Sequence, residues 1–255
     1  MKMSKMSRLR HKVTVITGGN SGIGFGIAQE FKNEGAKGAI VGRNQDTLNS
    51  AAAQLGDNFM AINADVTSVA DLERVFKETS EKFGKVDVVV ANAGGGTMGT
   101  VADIGEAGYD KTMDLNLKSV YFTVHKALSY MNDGGSIILI GSNAAHRAYP
   151  SFTLYGAAKA AVIFFAKGFS SDLLGRKIRV NVITPGTTDT PAFEKFVPAE
   201  QIEAIKKHFA DTMPIGRIGQ PSDIGKTAVF LASDDSSFIL GAELLVDGGL
   251  TYLAK

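Results

Sequence analysis

Short runs rich in Val and Ile recur along the chain, each followed by a longer stretch that is apolar on one side only. The runs are VTVIT (13–17), GAIVG (38–42), FMAIN (59–63), VDVVVANAG (86–94), SIILIG (136–141), IRVNVIT (178–184) and ELLVDGG (243–249). Near-continuous apolar runs bounded by turns suit strands buried on both faces, and their alternation with helical stretches implies parallel pairing through right-handed crossovers. The pattern predicts an α/β, doubly wound (Rossmann-type) parallel sheet of about seven strands with helices on both faces. Helices are expected from the first glycine-rich turn through Phe31, over 44–55, 69–83 and 113–131, in the segment carrying Tyr155, and over 222–232. No internal repeat or linker divides the chain, so residues 12–255 are expected to form one domain behind a flexible basic tail, 1–11. The segment 185–221 is long for a connection, and an insertion at about 187–215 has the dimensions of a substrate loop. Phe193, Phe196, Ile202, Ile205 and Phe209 would give it an apolar underside, facing either a substrate or the core.

Composition narrows the function. With 255 residues, 44% hydrophobic and 21% charged, the chain has ample material for a core. A formal net charge of +1 gives no reason to expect nucleic acid as a partner. Cysteine is absent, which excludes disulfides and thiolate metal sites, and the four histidines show no ligand spacing, so no metal is expected. The start, MKMSKMSRLRHK, is basic but lacks an apolar h-region, and no apolar run reaches the roughly 18 residues of a membrane span. The expectation is a cytoplasmic protein without a membrane partner.

Two stretches carry chemistry. TGGNSGIG (17–24) follows the first strand and opens the first helix. Glycines at 18, 22 and 24 let the backbone turn tightly, approach a pyrophosphate and present helix N-terminal amides to anionic oxygens; a strand–helix turn can also need glycine for geometry alone. The second stretch, SNAAHRAYPSFTLYGAAK (142–159), places Ser142, then Tyr155, then Lys159. Tyr155 and Lys159 lie one helical turn apart on one face, so an ammonium is available to favour the phenolate of a group whose reference pKa is about 10. Ser142, from another element, would hold a substrate oxygen against that phenol. A half-buried tyrosine beside a surface lysine is the alternative.

TGxxxGIG, Asn92-Ala93-Gly94, Ser142 with Tyr155-xxx-Lys159, Pro185-Gly186 and the late VDGG, in this order and spacing, resemble the short-chain dehydrogenase/reductase family from about Lys12 onward. The resemblance implies a catalytic tetrad of Asn116, Ser142, Tyr155 and Lys159. It also implies a cofactor site of Gly18, Ser21, Gly22, Ile23, Gly24, Arg43, Asp65, Val66, Asn92, Ala93, Gly94, Tyr155, Lys159, Pro185, Gly186 and Thr187. Asp65 would meet the adenine amino group, Lys159 the nicotinamide ribose, and Asn116 a proton-relay water. Ala91 stands where the family often has a second asparagine.

Cofactor choice turns on the end of the second strand, where an acid favours the ribose 2′-hydroxyl of NAD and an arginine a 2′-phosphate. The sequence has Gly42 then Arg43, which resembles NADP-preferring members, so NADP(H) is preferred with NAD(H) possible. The implied function is NADP(H)-dependent hydride transfer between nicotinamide and a carbonyl or secondary alcohol, with Tyr155 as general acid/base. An NAD-dependent alcohol or sugar dehydrogenase is the alternative, and a non-catalytic redox-sensing dinucleotide binder a more distant one. Met98, Ala144, His146, Tyr149 and Phe193 are expected to border a pocket for a small-molecule substrate. The resemblance further implies a homotetramer, with Tyr121, Ile163, Phe164 and Phe165 suited to a self-complementary surface or to this chain's own core.

Overall fold

The structure is a computed structural model that describes residues 7–95, 97–191 and 198–254. Seven parallel strands form one sheet in the order β3-β2-β1-β4-β5-β6-β7. In chain order the elements are β1 (Val13–Thr17), α1 (Gly22–Asn33), β2 (Lys37–Gly42), α2 (Gln45–Leu55), β3 (Phe59–Asn63), α3 (Val69–Phe83) and β4 (Val86–Ala91). There follow α4 (Glu106–Met113), a π-helical turn (Asp114–Lys118), α5 (Ser119–Ala127), β5 (Met131–Ile140), α6 (Thr153–Asp172), β6 (Arg179–Pro185), α7 (Ile202–Thr212), α8 (Pro221–Ala232) and β7 (Glu243–Val246).

Burial on both strand faces explains the continuous Val/Ile runs. On one face Val15, Val89, Ile137 and Val180 pack with Phe76 of α3, Val120 and Val124 of α5, and Val162 of α6. On the other, Ile16, Ile40, Val88, Val90 and Ile138 pack with Ile27 and Phe31 of α1, Leu48 of α2, and Ile224 and Val229 of α8. Local signals set the helix starts: Asn44 and Ser68 accept the N3 amides of α2 and α3, and Gln220 with Asp223 forms a capping box around Pro221.

Two expectations are corrected. The helix expected over 113–131 begins at Glu106 and ends at Ala127, because Met131 is paired in register with Val86 of β4 and its side chain is buried there. The stretch expected to be a flexible tail is part of the domain from Ser7 onward. Leu9 is fully buried with α1 and α2, its amide donates to Glu34 O, and the Arg8 guanidinium donates to Glu34 Oε1 at 2.9 Å.

The sheet order positions the site. The chain runs outward from β1 to β3, then crosses back to place β4 on the other side of β1. A crevice therefore opens above the carboxyl ends of β1 and β4, the place where open parallel sheets bind ligands.

Candidate active site

The glycine turn grows directly out of β1 and is clamped by β4. Thr17 Oγ1 accepts the amides of Asn92 and Ala93 at 3.0 and 3.1 Å, and Asn92 Nδ2 donates back to Thr17 O and Gly18 O. Gly18 has φ +64, and a Cβ there would meet Asn92 Nδ2 at 2.8 Å; a Cβ on Gly24 would overlap Gly18 O. These two glycines are therefore required by the chain's own packing, whatever ligand the turn holds. Ser21 is the N-cap of α1, yet its hydroxyl makes no bond to the helix, and the first turn of α1 carries no acid. Among the described residues, the helix thus presents its first-turn amides and the uncapping Ser21 hydroxyl at its positive end, an arrangement that suits a phosphate.

At the next strand ends, Arg43 follows β2 and Asp65 follows β3, and their side chains face each other at 3.7 Å. Asp65 Oδ1 accepts the Thr67 amide and hydroxyl. Partial burial opposes ionisation of Asp65, but the Thr67 hydrogen bonds and the Arg43 charge outweigh it and hold the carboxyl below its usual range. Val66 beside it is buried, and Ile23 packs against the α1 side of the core.

Asn116, Ser142, Tyr155 and Lys159 converge above β4 and β5. Asn116 sits in the π-helical turn and is 0% exposed; its amide nitrogen donates to Gly95 O and Thr112 O, and its oxygen accepts the Gly95 amide. A Cβ on Gly94 would lie 3.1 Å from Asn116 Oδ1 and 3.4 Å from Lys159 Nζ, which brings both side chains to the same glycine. Lys159 Nζ, buried, donates to Ile140 O at 2.8 Å and stands 5.7 Å from the centre of the Tyr155 ring. Burial pulls its pKa down to about 8. Burial pushes the Tyr155 phenol above its ordinary value, and an interaction with the Ser142 hydroxyl only partly opposes this. Enclosure thus sets the direction of the phenol's shift, opposite to the lowering expected from the Lys159 charge.

Ser142 ends the β5 segment in an extended conformation and caps a short turn, its hydroxyl accepting the Ala144 amide at 3.2 Å. Ala144 O packs so closely on Gly156 that a Cβ there would lie 2.5 Å away, and Tyr149 accepts a hydrogen bond from Asn143. His146 is turned toward β7, where its Nε2 lies 2.6 Å from Glu243 Oε1. Met98 is exposed on a loop whose Gly99 amide reaches Ser151 O. Pro185 pairs with Val246, the Gly186 amide donates to Val246 O, and Thr187 O accepts the Gly219 amide. Phe193 and Phe196 lie outside the described residues; Ile202 and Ile205 of α7 are half-buried and Phe209 is exposed.

Comparison with known proteins fits this geometry. Residues 18–251 match the family described as enoyl-(acyl carrier protein) reductase. The chain is 40% identical to an oxidoreductase of Sarocladium schorii, over 98% of this chain and all of that one. It is 37% identical to galactitol 2-dehydrogenase of Agrobacterium fabrum (95% and 98% covered) and 35% to a hydroxynaphthalene reductase-like protein of Metarhizium majus (94% and 95%). A solved short-chain dehydrogenase/reductase of Serratia marcescens superposes with a TM-score of 0.88 at 32% identity, covering 96% of this chain and 99% of that one. The chain belongs to the short-chain dehydrogenase/reductase family. As such it is an NAD(P)-dependent oxidoreductase acting on alcohol or carbonyl groups.

Within this short-chain dehydrogenase/reductase chain, the residues expected at the nucleotide and tetrad positions lie at or beyond the carboxyl ends of β1, β2, β3, β4, β5 and β6. Three residues bonded to these segments were not singled out from the sequence. Thr17 bonds both amides that follow β4; Asp247 caps the Gly249 and Thr251 amides and stands where a Cβ on Gly186 would fall; and Glu243 meets His146. Thr17 and Asp247 belong to the TGxxxGIG and VDGG motifs, so the motifs held the signal. Glu243 had none. Among the described residues no helix is long and apolar enough to cross a membrane.

Proposed function

We propose that this chain catalyses NADP(H)-dependent hydride transfer between nicotinamide and a carbonyl or secondary alcohol, with Tyr155 as the general acid/base. One observation carries the reading: Lys159 is a buried ammonium with no carboxylate partner among the described residues, packed beside the half-buried Tyr155 ring. Such a pair weakens the fold, and unpaired, perturbed titratable groups in a cleft mark functional sites. The bound nicotinamide supplies the hydride donor or acceptor. The protein's part is binding and proton chemistry. The first-turn amides of α1 with Ser21 hold the pyrophosphate, Asp65 and Arg43 take the adenosine end, and Lys159 holds the nicotinamide ribose. Ser142 donates to the substrate oxygen while the Tyr155 phenol, whose pKa burial raises, gives that oxygen its proton. Asn116, whose side chain is committed to Gly95 and Thr112, keeps the π-helical turn open beside Lys159.

Arg43 at the end of β2, where an acid would reject a 2′-phosphate, supports NADP(H) over NAD(H). The likeness to galactitol 2-dehydrogenase favours a second reading, oxidation of a polyol with NAD, and the likeness to a hydroxynaphthalene reductase-like protein favours reduction of a ring ketone. Self-association into a tetramer is part of the proposal. Tyr121 (45% exposed) and Phe164 (68%) face outward from α5 and α6, whereas Ile163 and Phe165 pack onto this chain's own core.

Initial rates with NADPH and NADH across ring ketones, aldehydes, ketoacyl thioesters and polyols test the reading. The Tyr155→Phe variant is expected to bind NADPH in a fluorescence titration as the parent does and to lose turnover by at least a hundredfold (~10²). Substantial residual turnover overturns the tyrosine assignment.

A further inference from the structure

Glu243 opens β7, the edge strand of the sheet, in register with Val182 of β6. An acid on an edge strand ordinarily points to water. This one is turned inward, and its Oε1 receives both the His146 Nε2 at 2.6 Å and the Thr184 Oγ1 at 2.5 Å. The two donors come from the two segments whose relative position the chemistry depends on. His146 closes the short turn that begins at Ser142, and Thr184 immediately precedes Pro185-Gly186-Thr187. The same threonine hydroxyl stands 2.6 Å from where a Cβ on Gly141 would be, so the strand end leading into Ser142 rests against it. Tyr252 packs over the imidazole, with ring centres 6.2 Å apart.

We infer that Glu243, acting through His146 and Thr184, is a positioning residue that fixes the Ser142 turn relative to the segment ending in Thr187. The inference rests on the role given to Ser142 above. Nothing about packing demands an acid here, because a buried apolar side chain on β7 would cover β6 equally well and leave no charge to satisfy. The carboxylate bonds a turn on one side and a strand on the other. Removing it leaves both donors without their acceptor and frees the turn to drift, and a drift of about 1 Å at a reacting centre is enough to lower a rate about a hundredfold.

The test is a double-mutant cycle in the intact enzyme. Glu243→Ala is expected to lower kcat about ten- to a hundredfold with NADPH affinity within about twofold of the parent. Glu243→Gln, whose amide oxygen still accepts both donors, is expected to recover most of the loss. In a Ser142→Ala background the same Glu243→Ala change should cost nothing further, because the group being positioned is gone. An equal loss in both backgrounds, or none in either, overturns the positioning role while leaving the serine assignment standing. Ser142→Ala at the parental rate overturns the serine assignment and this inference with it. Should Glu243→Ala fail to fold, His146→Ala on the surface turn carries the same cycle with the same expected outcomes.

Discussion

Lys159 is held where a lysine is least comfortable, and the catalytic consequences follow from that. Its ammonium is charged below about 8 and loses the charge as pH rises through that value, the direction given by burial disfavouring the charged form. Ribose binding, the role proposed for Lys159, needs the cation. kcat/KM for carbonyl reduction is therefore expected to be flat at neutral pH and to fall as pH rises through about 8, read from a pH–rate profile of initial rates. A profile that stays flat well above that value removes the lysine from the mechanism. At the other end of the cofactor site, Arg43→Ala is expected to raise KM for NADPH about ten- to a hundredfold and to leave KM for NADH nearly unchanged. Equal changes for the two cofactors would mean that Arg43 reads the adenosine and not its phosphate.

Among the elements, those built from continuous apolar runs were legible in the sequence, since a strand buried on both faces has no other way to be written. The placement of Tyr155 beside Lys159 and of the glycine turn was legible for a different reason: each rests on fixed offsets along one helix or one strand–helix turn. What escaped depends on long-range contacts that local pattern does not encode. Leu9 lies within a basic stretch that reads as solvent-exposed, yet Glu34 and the α1–α2 side of the core capture it. Met131 looks like the end of a helix until β4 supplies its ladder partners. The π-helical turn around Asn116 lies within a stretch read as one continuous helix, and the side-chain bond to Thr112 O inside it has no signature in the sequence. The His146–Glu243 contact escaped too, because its partners lie 97 positions apart. The N-terminal strap is checkable by itself. Leu9→Ala is expected to lower unfolding free energy by about 2–4 kcal/mol in urea denaturation, as for other fully buried leucines. A change below about 0.5 kcal/mol would mean the strap is only loosely attached.

At the scale of the whole molecule, the apolar surface is unevenly distributed. Tyr121 stacks with His125 and contacts Phe165 and Phe169, so α5 and α6 present an aromatic ridge with Phe164 standing out beside it. Phe238, 99% exposed, forms a separate apolar point before β7. Phe164→Lys is expected to shift the protein toward smaller species in light scattering without lowering its thermal midpoint by more than a few degrees; an unchanged mass excludes the ridge as a contact. The strand order also dictates how the chain comes together in time. Residues up to Asn63 can complete β3-β2-β1 among themselves, leaving β1 with one open edge of Val and Ile backbone. Until β4 leaves the ribosome that edge is unsatisfied, and the glycine turn beyond it lacks the Asn92 that fastens it. An N-terminal fragment ending before β4 thus keeps an unpaired strand edge, and the nucleotide cradle is fastened only once β4 and Asn92 have docked.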